Sequence, residues 1–326
     1  MAHGIRWGII GLGRIAHSFA KDLALVSGGK LNGVASRSME KAQEFAKEYD
    51  VKHAYGSYEA LFESDVVDVI YIATPHNSHE NLSIEAMAGG KHVLCEKPLG
   101  VFPNQVERMI ASANSNQVFL MEALWSRFNP SIKRSKQLIA DGEIGQVGYL
   151  HADFAFHALD RDVGNRLLNP DLAGGSLLDI GIYPVFLAYL MLGMPKEIKA
   201  SSNFFKTGVE MQTSMIFNYE NAQALLYSGL STKSEMKAEI TGTAGTIFLH
   251  PKWHEAQGYS IEKAGEIVSY ELPTIGRGYT YEIEEVHACL ASKKLQSDLW
   301  SHTDSTNLAK LLYEIRLKTG ITFPFE

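Results

Sequence analysis

Over residues 1–123, short continuous apolar runs alternate with stretches of helical spacing. Ile5-Arg6-Trp7-Gly8-Ile9-Ile10 reads as a buried strand, after which the pattern turns helical to about Val26. Further strands are expected from about Leu31 to Ala35, Val66 to Ala73, His92 to Cys95 and Gln117 to Leu120. Between them, helices are expected from near Met39, from Glu80 to Ala88 and from Pro103 to Ser112. Continuous rather than alternating runs suit strands covered on both faces, and strand–helix alternation predicts a doubly wound parallel sheet.

Beyond Met121 the texture changes. A helix from about Ser131 to Asp141 leads to a strand from Gly148 to Phe156. From Ile198 to Tyr270 come successive β-rich runs with Asn221, Gly242 and Gly245 at turns, and Ala222 to Tyr227 shows alternation. Helical stretches near Tyr281 to Ser292 and Thr303 to Lys318 close the chain. The fold class expected is α/β: an N-terminal doubly wound parallel sheet of the Rossmann type, then an α+β domain with a large, mostly antiparallel open sheet. The expected domains are 1–123, binding the cofactor, and 124–326, binding substrate and forming a dimer.

A chain of 326 residues exceeds one ordinary core, in keeping with two domains. A net charge of −7 argues against nucleic acid or an anionic membrane surface as partner. Two cysteines, Cys95 and Cys289, make neither a disulfide framework nor a metal spacing. No run approaches about 18 uninterrupted apolar residues, so no membrane span is expected. The opening Met1-Ala2-His3-Gly4 leaves no room for a signal peptide before the first strand, so the expected location is the cytoplasm.

Gly11-Leu12-Gly13-Arg14-Ile15-Ala16, between a strand and a helix, is a dinucleotide fingerprint with Ala in its third small position. Gly11 permits the tight turn, Gly13 lets a pyrophosphate approach the backbone, and the helix start presents free amides. The second strand ends in Ser36-Arg37, where an NAD site would carry a carboxylate for the ribose 2′-hydroxyl. A hydroxyl and a guanidinium suit a 2′-phosphate instead, which favours NADP(H) over NAD(H). The blander reading is that Ser36 or Ser38 caps the next helix while Arg37 is solvated. The loop Thr74-Pro75-His76-Asn77-Ser78-His79 follows a strand and is expected against the dinucleotide; without a thiolate or other ligand nearby, His76 and His79 do not make a zinc site.

Cys95-Glu96-Lys97-Pro98-Leu99 stands where a strand emerges at the sheet's carboxyl end, and Pro98 biases Lys97 toward an extended backbone. Glu96 and Lys97 are therefore expected at the cofactor. In Gly174-Gly175-Ser176-Leu177-Leu178-Asp179-Ile180-Gly181-Ile182-Tyr183-Pro184, Asp179 and Tyr183 stand four apart and would share a helix face. They could equally be a buried tyrosine satisfied by Asp179. A tyrosine beside an ammonium is also a credible acid/base group, since the cation lowers its pKa from near 10.

Gly11-Leu12-Gly13-Arg14-Ile15-Ala16, Ala88-Gly89-Gly90-Lys91-His92-Val93-Leu94-Cys95-Glu96-Lys97-Pro98 and Gly174-Gly175-Ser176-Leu177-Leu178-Asp179-Ile180-Gly181 together resemble the glucose–fructose oxidoreductase/inositol dehydrogenase/MocA family over essentially the whole chain, including Thr241-Gly242-Thr243-Ala244-Gly245-Thr246. Many members carry a histidine where this chain has Tyr183. The tyrosine, with Glu122-Ala123-Leu124-Trp125-Ser126-Arg127-Phe128-Asn129-Pro130, is similar to the dimeric dihydrodiol dehydrogenase and NADP-dependent D-xylose 1-dehydrogenase branch. The resemblance implies an NADP-dependent dehydrogenase acting on a sugar or cyclic diol, and a homodimer formed through the open sheet face. Joined to the reading of the residues, this makes Lys97 and Tyr183 the expected acid–base pair beside the nicotinamide, Tyr183 or Lys97 being the base, with Asp179 beside them. Trp125, Arg127, Phe154 and His157 would line the substrate pocket. Two other readings are a non-catalytic NADP-binding sensor or regulator and an NAD-dependent glycoside hydrolase of the same family; Lys97 with Tyr183 speaks against the first and Arg37 against the second.

Overall fold

The computed structural model describes residues 4–326. They form two compact units: residues up to Trp125 together with Ile275–Thr306, and Ser126–Thr274 together with Asn307–Glu326.

In the first unit, strands β1 (Ile5–Ile10), β2 (Gly29–Ala35), β3 (His53–Tyr55), β4 (Val69–Ile72), β5 (His92–Glu96) and β6 (Leu120–Ala123) make one sheet in the order β3-β2-β1-β4-β5-β6. All pairings are parallel. Helices α1 (Arg14–Leu23), α2 (Met39–Glu48), α3 (Tyr58–Phe62), α4 (His79–Ala88) and α5 (Pro103–Asn116) form the crossovers. Ile9, Ile10, Val69 to Ile72 and Val93 to Cys95 are wholly buried, as strands covered on both faces require. The strand order reverses between β1 and β4, which opens a crevice at their carboxyl ends.

Two local features differ from the sequence expectation. Helix α5 runs on to Asn116, and Gln117, in the left-handed region at φ +54°, caps it. The sixth strand therefore occupies Leu120–Ala123 and not Gln117 to Leu120. Strand β3, three half-buried residues long, is too short for any periodic pattern to reveal.

The second unit begins with α6 (Pro130–Ala140), started by Asn129, whose carboxamide oxygen accepts the amides of Ser131 and Ile132. Strand β7 (Val147–Ala155) follows, then a π-helical turn, Leu177–Gly181, running into α7 (Ile182–Leu192). Strands β8 (Glu197–Phe204), β9 (Glu210–Asn218), β10 (Gln223–Gly229), β11 (Ala238–Gly242), β12 (Gly245–Leu249), β13 (Gly258–Lys263) and β14 (Glu266–Glu271) complete an eight-stranded sheet, ordered β14-β13-β12-β11-β7-β10-β9-β8. Only the β7–β10 pairing is parallel. Ile198, Phe217, Ala224, Leu150, Ile240 and Ile247 lie in register across six strands, none more than 2% exposed, and α7 packs over β7 and β10. Because side chains alternate, Ile216, Leu225, His151, Glu239 and Phe248 form the matching row on the opposite face, half-buried to exposed.

The stretch Pro170–Leu192 is long and apolar enough to pass for a membrane span, which single-residue runs did not suggest, yet 78% of its apolar window is buried inside the protein as core.

Ile275–Thr306 returns to the first unit with α8 (Thr280–Ala291); a last helix, α9 (His302–Thr319), follows. Asp22 of α1, 3% exposed, accepts the amides of Arg277, Gly278 and Tyr279 at 2.9–3.0 Å. Gly276, at φ +59°, permits that approach: a Cβ there would fall 2.4 Å from the Asp22 carboxylate.

Candidate active site

The glycine turn sits at the crevice. Gly11 has φ +78°, and a Cβ on it would lie 2.5 Å from the Ala73 carbonyl, so no side chain fits. Gly13 has open space where its Cβ would be, and as the residue preceding α1 it gives that helix no side-chain cap. The first-turn amides of α1, among them those of Arg14 and Ile15, therefore face a bare, exposed backbone, the environment a pyrophosphate needs. Leu12 is half-buried beside them. The residues present fit a dinucleotide.

At the end of β2, the Ser36 hydroxyl accepts the Ser38 amide, and Ser38 caps α2 by accepting the Lys41 amide. Arg37 is exposed and makes no ion pair among the described residues. In the loop after β4, the Ser78 hydroxyl donates to Thr74 Oγ1 or the Pro75 carbonyl, Pro75 and Asn77 are exposed, and His76 is half-buried. His79 is fully buried, one ring nitrogen 2.8 Å from the Pro98 carbonyl and the other 2.9 Å from that of Thr74. Burial holds its pKa below the ordinary imidazole value. It thus ties the loop after β4 to the loop after β5, rather than presenting a ring nitrogen to a ligand.

Tyr71 Oη donates to Glu96 at 2.5 Å, whose other oxygen accepts the Lys97 amide. Lys97 is 9% exposed, and the Lys97–Pro98 peptide is cis. Beside that loop lies Glu122, 3% exposed on β6, to which the sequence motifs give no role. One of its oxygens accepts the Leu99 amide at 2.9 Å and the other the Trp300 indole at 3.0 Å. Burial raises its carboxyl above the ordinary range, against the pull of those hydrogen bonds and the Lys97 charge. Trp125 stacks on Tyr279 at 4.8 Å.

In the second unit, Tyr183 is 6% exposed at the start of α7 and packs in an aromatic group with Phe154 (5.5 Å between ring centroids) and His254 (5.4 Å). The Phe154 and His254 rings stack at 4.2 Å. Asp179 sits on the π turn and takes an ion pair from Arg166 at 2.6 Å. Arg127 is buried, whereas His157 is exposed and bonds the Ser231 carbonyl through Nδ1. Arg166 and His254, brought to Asp179 and Tyr183, were not signalled by any motif; only long-range folding places them there.

Comparison with known proteins fixes the class. The family model for the GFO/IDH/MocA oxidoreductases with NAD-binding Rossmann fold matches residues 5–124, and the model for the GFO/IDH/MocA C-terminal domain matches 132–248. The chain belongs to the GFO/IDH/MocA family and, with it, to the NAD(P)-dependent dehydrogenases. It is 34% identical to the trans-1,2-dihydrobenzene-1,2-diol dehydrogenase of Mus musculus and 33% identical to the scyllo-inositol 2-dehydrogenase (NADP(+)) IolU of Bacillus subtilis (strain 168), in both cases over 98% of each chain. Among solved structures it is similar to KijD10, a 3-ketoreductase from Actinomadura kijaniata in complex with NADP and TDP-benzene, with 26% identity and a TM-score of 0.88 over 97% of this chain and 98% of that one. The aldose-aldose oxidoreductase of Caulobacter crescentus shares the fold, with a TM-score of 0.89 at 23% identity over 98% of each chain.

Proposed function

We propose that the protein moves a hydride between NADP(H) and a hydroxyl-bearing carbon of a sugar or cyclic diol, with Tyr183 and Lys97 handling the proton. The observation that carries this reading is Lys97, buried on the loop at the carboxyl end of β5, the same end of the sheet as the bare glycine turn. Gly11 to Ile15 would hold the pyrophosphate, Ser36 and Arg37 the 2′-phosphate, and the loop from Thr74 to Asn77 the nucleotide's flank. The nicotinamide supplies the hydride acceptor or donor when bound. In the oxidative direction Tyr183 accepts the hydroxyl proton, Lys97 orients that hydroxyl and favours the phenolate, and Asp179 orders the polar side of the pocket. Trp125, Arg127 and Phe154 would shape the substrate wall.

NADP is favoured because Arg37 stands exposed with no ion pair among the described residues and no carboxylate ends β2. The relatives named above include an NADP(+) dehydrogenase and a reductase solved with NADP, and their named substrates include a ring diol and an inositol. The uncovered sheet row around Ile216 and Leu225 supports a homodimer, and two buried free thiols suit the cytoplasm.

The test is absorbance of reduced nicotinamide with NADP⁺ or NAD⁺ and a panel of aldoses and trans-cyclic diols. Growth with NADP⁺ and one substrate class supports the reading. Tight NADP binding with no turnover of any panel member overturns it in favour of a sensor.

A further inference from the structure

Glu210 is the first residue of β9, 1% exposed, and belongs to none of the motifs above. Its Oε1 accepts the Leu177 amide at 2.6 Å, and the carboxylate also takes a hydrogen bond from the Ser176 backbone. Both amides stand at the start of the π turn that carries Asp179 and runs into the helix of Tyr183. The approach is so close that a Cβ on Gly175, at φ +123°, would lie 2.1 Å from Oε2. Ser228 of β10 reinforces the same turn, its hydroxyl 3.1 Å from that of Ser176. Oε2 has no hydrogen-bond partner among the described residues. We propose that Glu210 is a positioning residue: its carboxylate anchors the start of the Leu177–Gly181 turn and so sets Asp179 and Tyr183 for the reaction.

Two converging amides and the following helix dipole favour an anion, whereas a buried carboxyl with one open oxygen accepts a proton readily. Burial pushes this carboxyl up to about 7. The charged group facing it is the Arg316 guanidinium of α9, which is itself paired with Glu326; β10 contributes the Ser228 hydroxyl and the glycine turn only amides. Deprotonation therefore tightens the turn as pH rises through neutrality, and protonation releases it.

The inference depends on the site assigned under Proposed function, so its test includes a readout that needs no turnover. Hydrogen–deuterium exchange of the amides from Gly175 to Tyr183 is compared between wild type and Glu210→Gln, which mimics the neutral acid. Wild-type protection should match the variant near about pH 5.5 and exceed it by about tenfold above about pH 8. On a substrate found by the absorbance assay, Glu210→Gln should lower kcat by about tenfold at high pH, lose the inflection near neutrality, and leave KM for NADP⁺ unchanged. Glu210→Asp, which keeps a titrating carboxyl, should restore part of both effects. If Glu210→Gln does not fold, the wild-type protection of these amides relative to those of β12 should still rise through neutrality. A ratio flat across the pH range, or a variant with the wild-type kcat profile, overturns the positioning role. Absence of turnover with the exchange effect intact would instead count against the reaction and leave Glu210 as the anchor.

Discussion

Each unit holds a buried carboxylate under a turn that bears a proposed reacting group, and the two are satisfied differently. Glu122 in the first unit has both oxygens engaged, by the Leu99 amide and the Trp300 indole. Glu210 in the second gives one oxygen to the Leu177 amide and leaves the other without a partner among the described residues. A fully engaged carboxylate works as a brace, because any change of state breaks a bond on one side. A half-engaged one can take a proton on its open oxygen, and the neutral acid then holds the backbone amide less tightly, so it can respond to pH. The two turns are thus held by the same kind of bond but with different freedom to change.

The sharpest way to break the comparison is to remove the reacting groups themselves. Lys97→Met and Tyr183→Phe should each lower turnover by about 10²–10⁴-fold while NADP⁺ affinity stays within a few-fold, read by steady-state kinetics and cofactor titration. Normal turnover in either variant removes that residue from the mechanism. Next comes the brace. Glu122→Ala strands three buried donors, the Leu99 amide, the Trp300 indole and the Ser305 hydroxyl, and should cost about 2–4 kcal/mol in denaturant unfolding. An unchanged midpoint would mean that the Lys97 loop is held by something else.

Arg37→Ala should weaken NADP⁺ by about 1.5–3 kcal/mol, on the order of ten- to a hundredfold, and leave NAD⁺ nearly unaffected. Equal losses for both cofactors would place Arg37 away from the 2′-phosphate. The smallest effect concerns Glu282 of α8, whose oxygens have no partner among the described residues. Burial and the carboxylates of Glu96 and Asp22 hold its pKa well above the usual carboxyl range. The folded chain then keeps a proton that the unfolded chain releases above the ordinary carboxyl range, so this group's contribution to stability falls as pH rises. Glu282→Gln should therefore unfold at a higher midpoint than wild type near pH 8, with the gap closing toward pH 5. A gap independent of pH would show that Glu282 is not neutral in the folded chain.

The parts legible in the sequence were those whose cause is local. Gly11 must be glycine because of a backbone contact one strand away, and the strand–turn–helix pattern announces it. In the large sheet the alternation of Ala222 to Tyr227 was legible, and Ala224 and Leu226 are buried while Gln223 and Leu225 are exposed. What stayed hidden depends on partners far along the chain: Glu122 with Trp300 178 residues on, Leu177 with Glu210 33 residues on, and Asp153 with Trp253. The shift of β6 to Leu120–Ala123 has a different origin, since a left-handed Gln117 gives no sequence signal of the kind a glycine would. His79 shows a third kind of limit. Its place after the fourth strand was readable, but only the structure shows both ring nitrogens turned onto carbonyls.

The Asp22 contact has a consequence for how the chain is made. Its amide partners are more than 250 residues downstream, the Arg277 amide being 255 away. At about 5–20 residues per second, a ribosome needs roughly 13–50 seconds to synthesise that interval. Throughout that time the nascent first sheet has a buried-type carboxylate without its acceptor sites filled and lacks α8 altogether. The first unit is thus the first to begin and cannot be finished until after the second unit's sheet has left the ribosome.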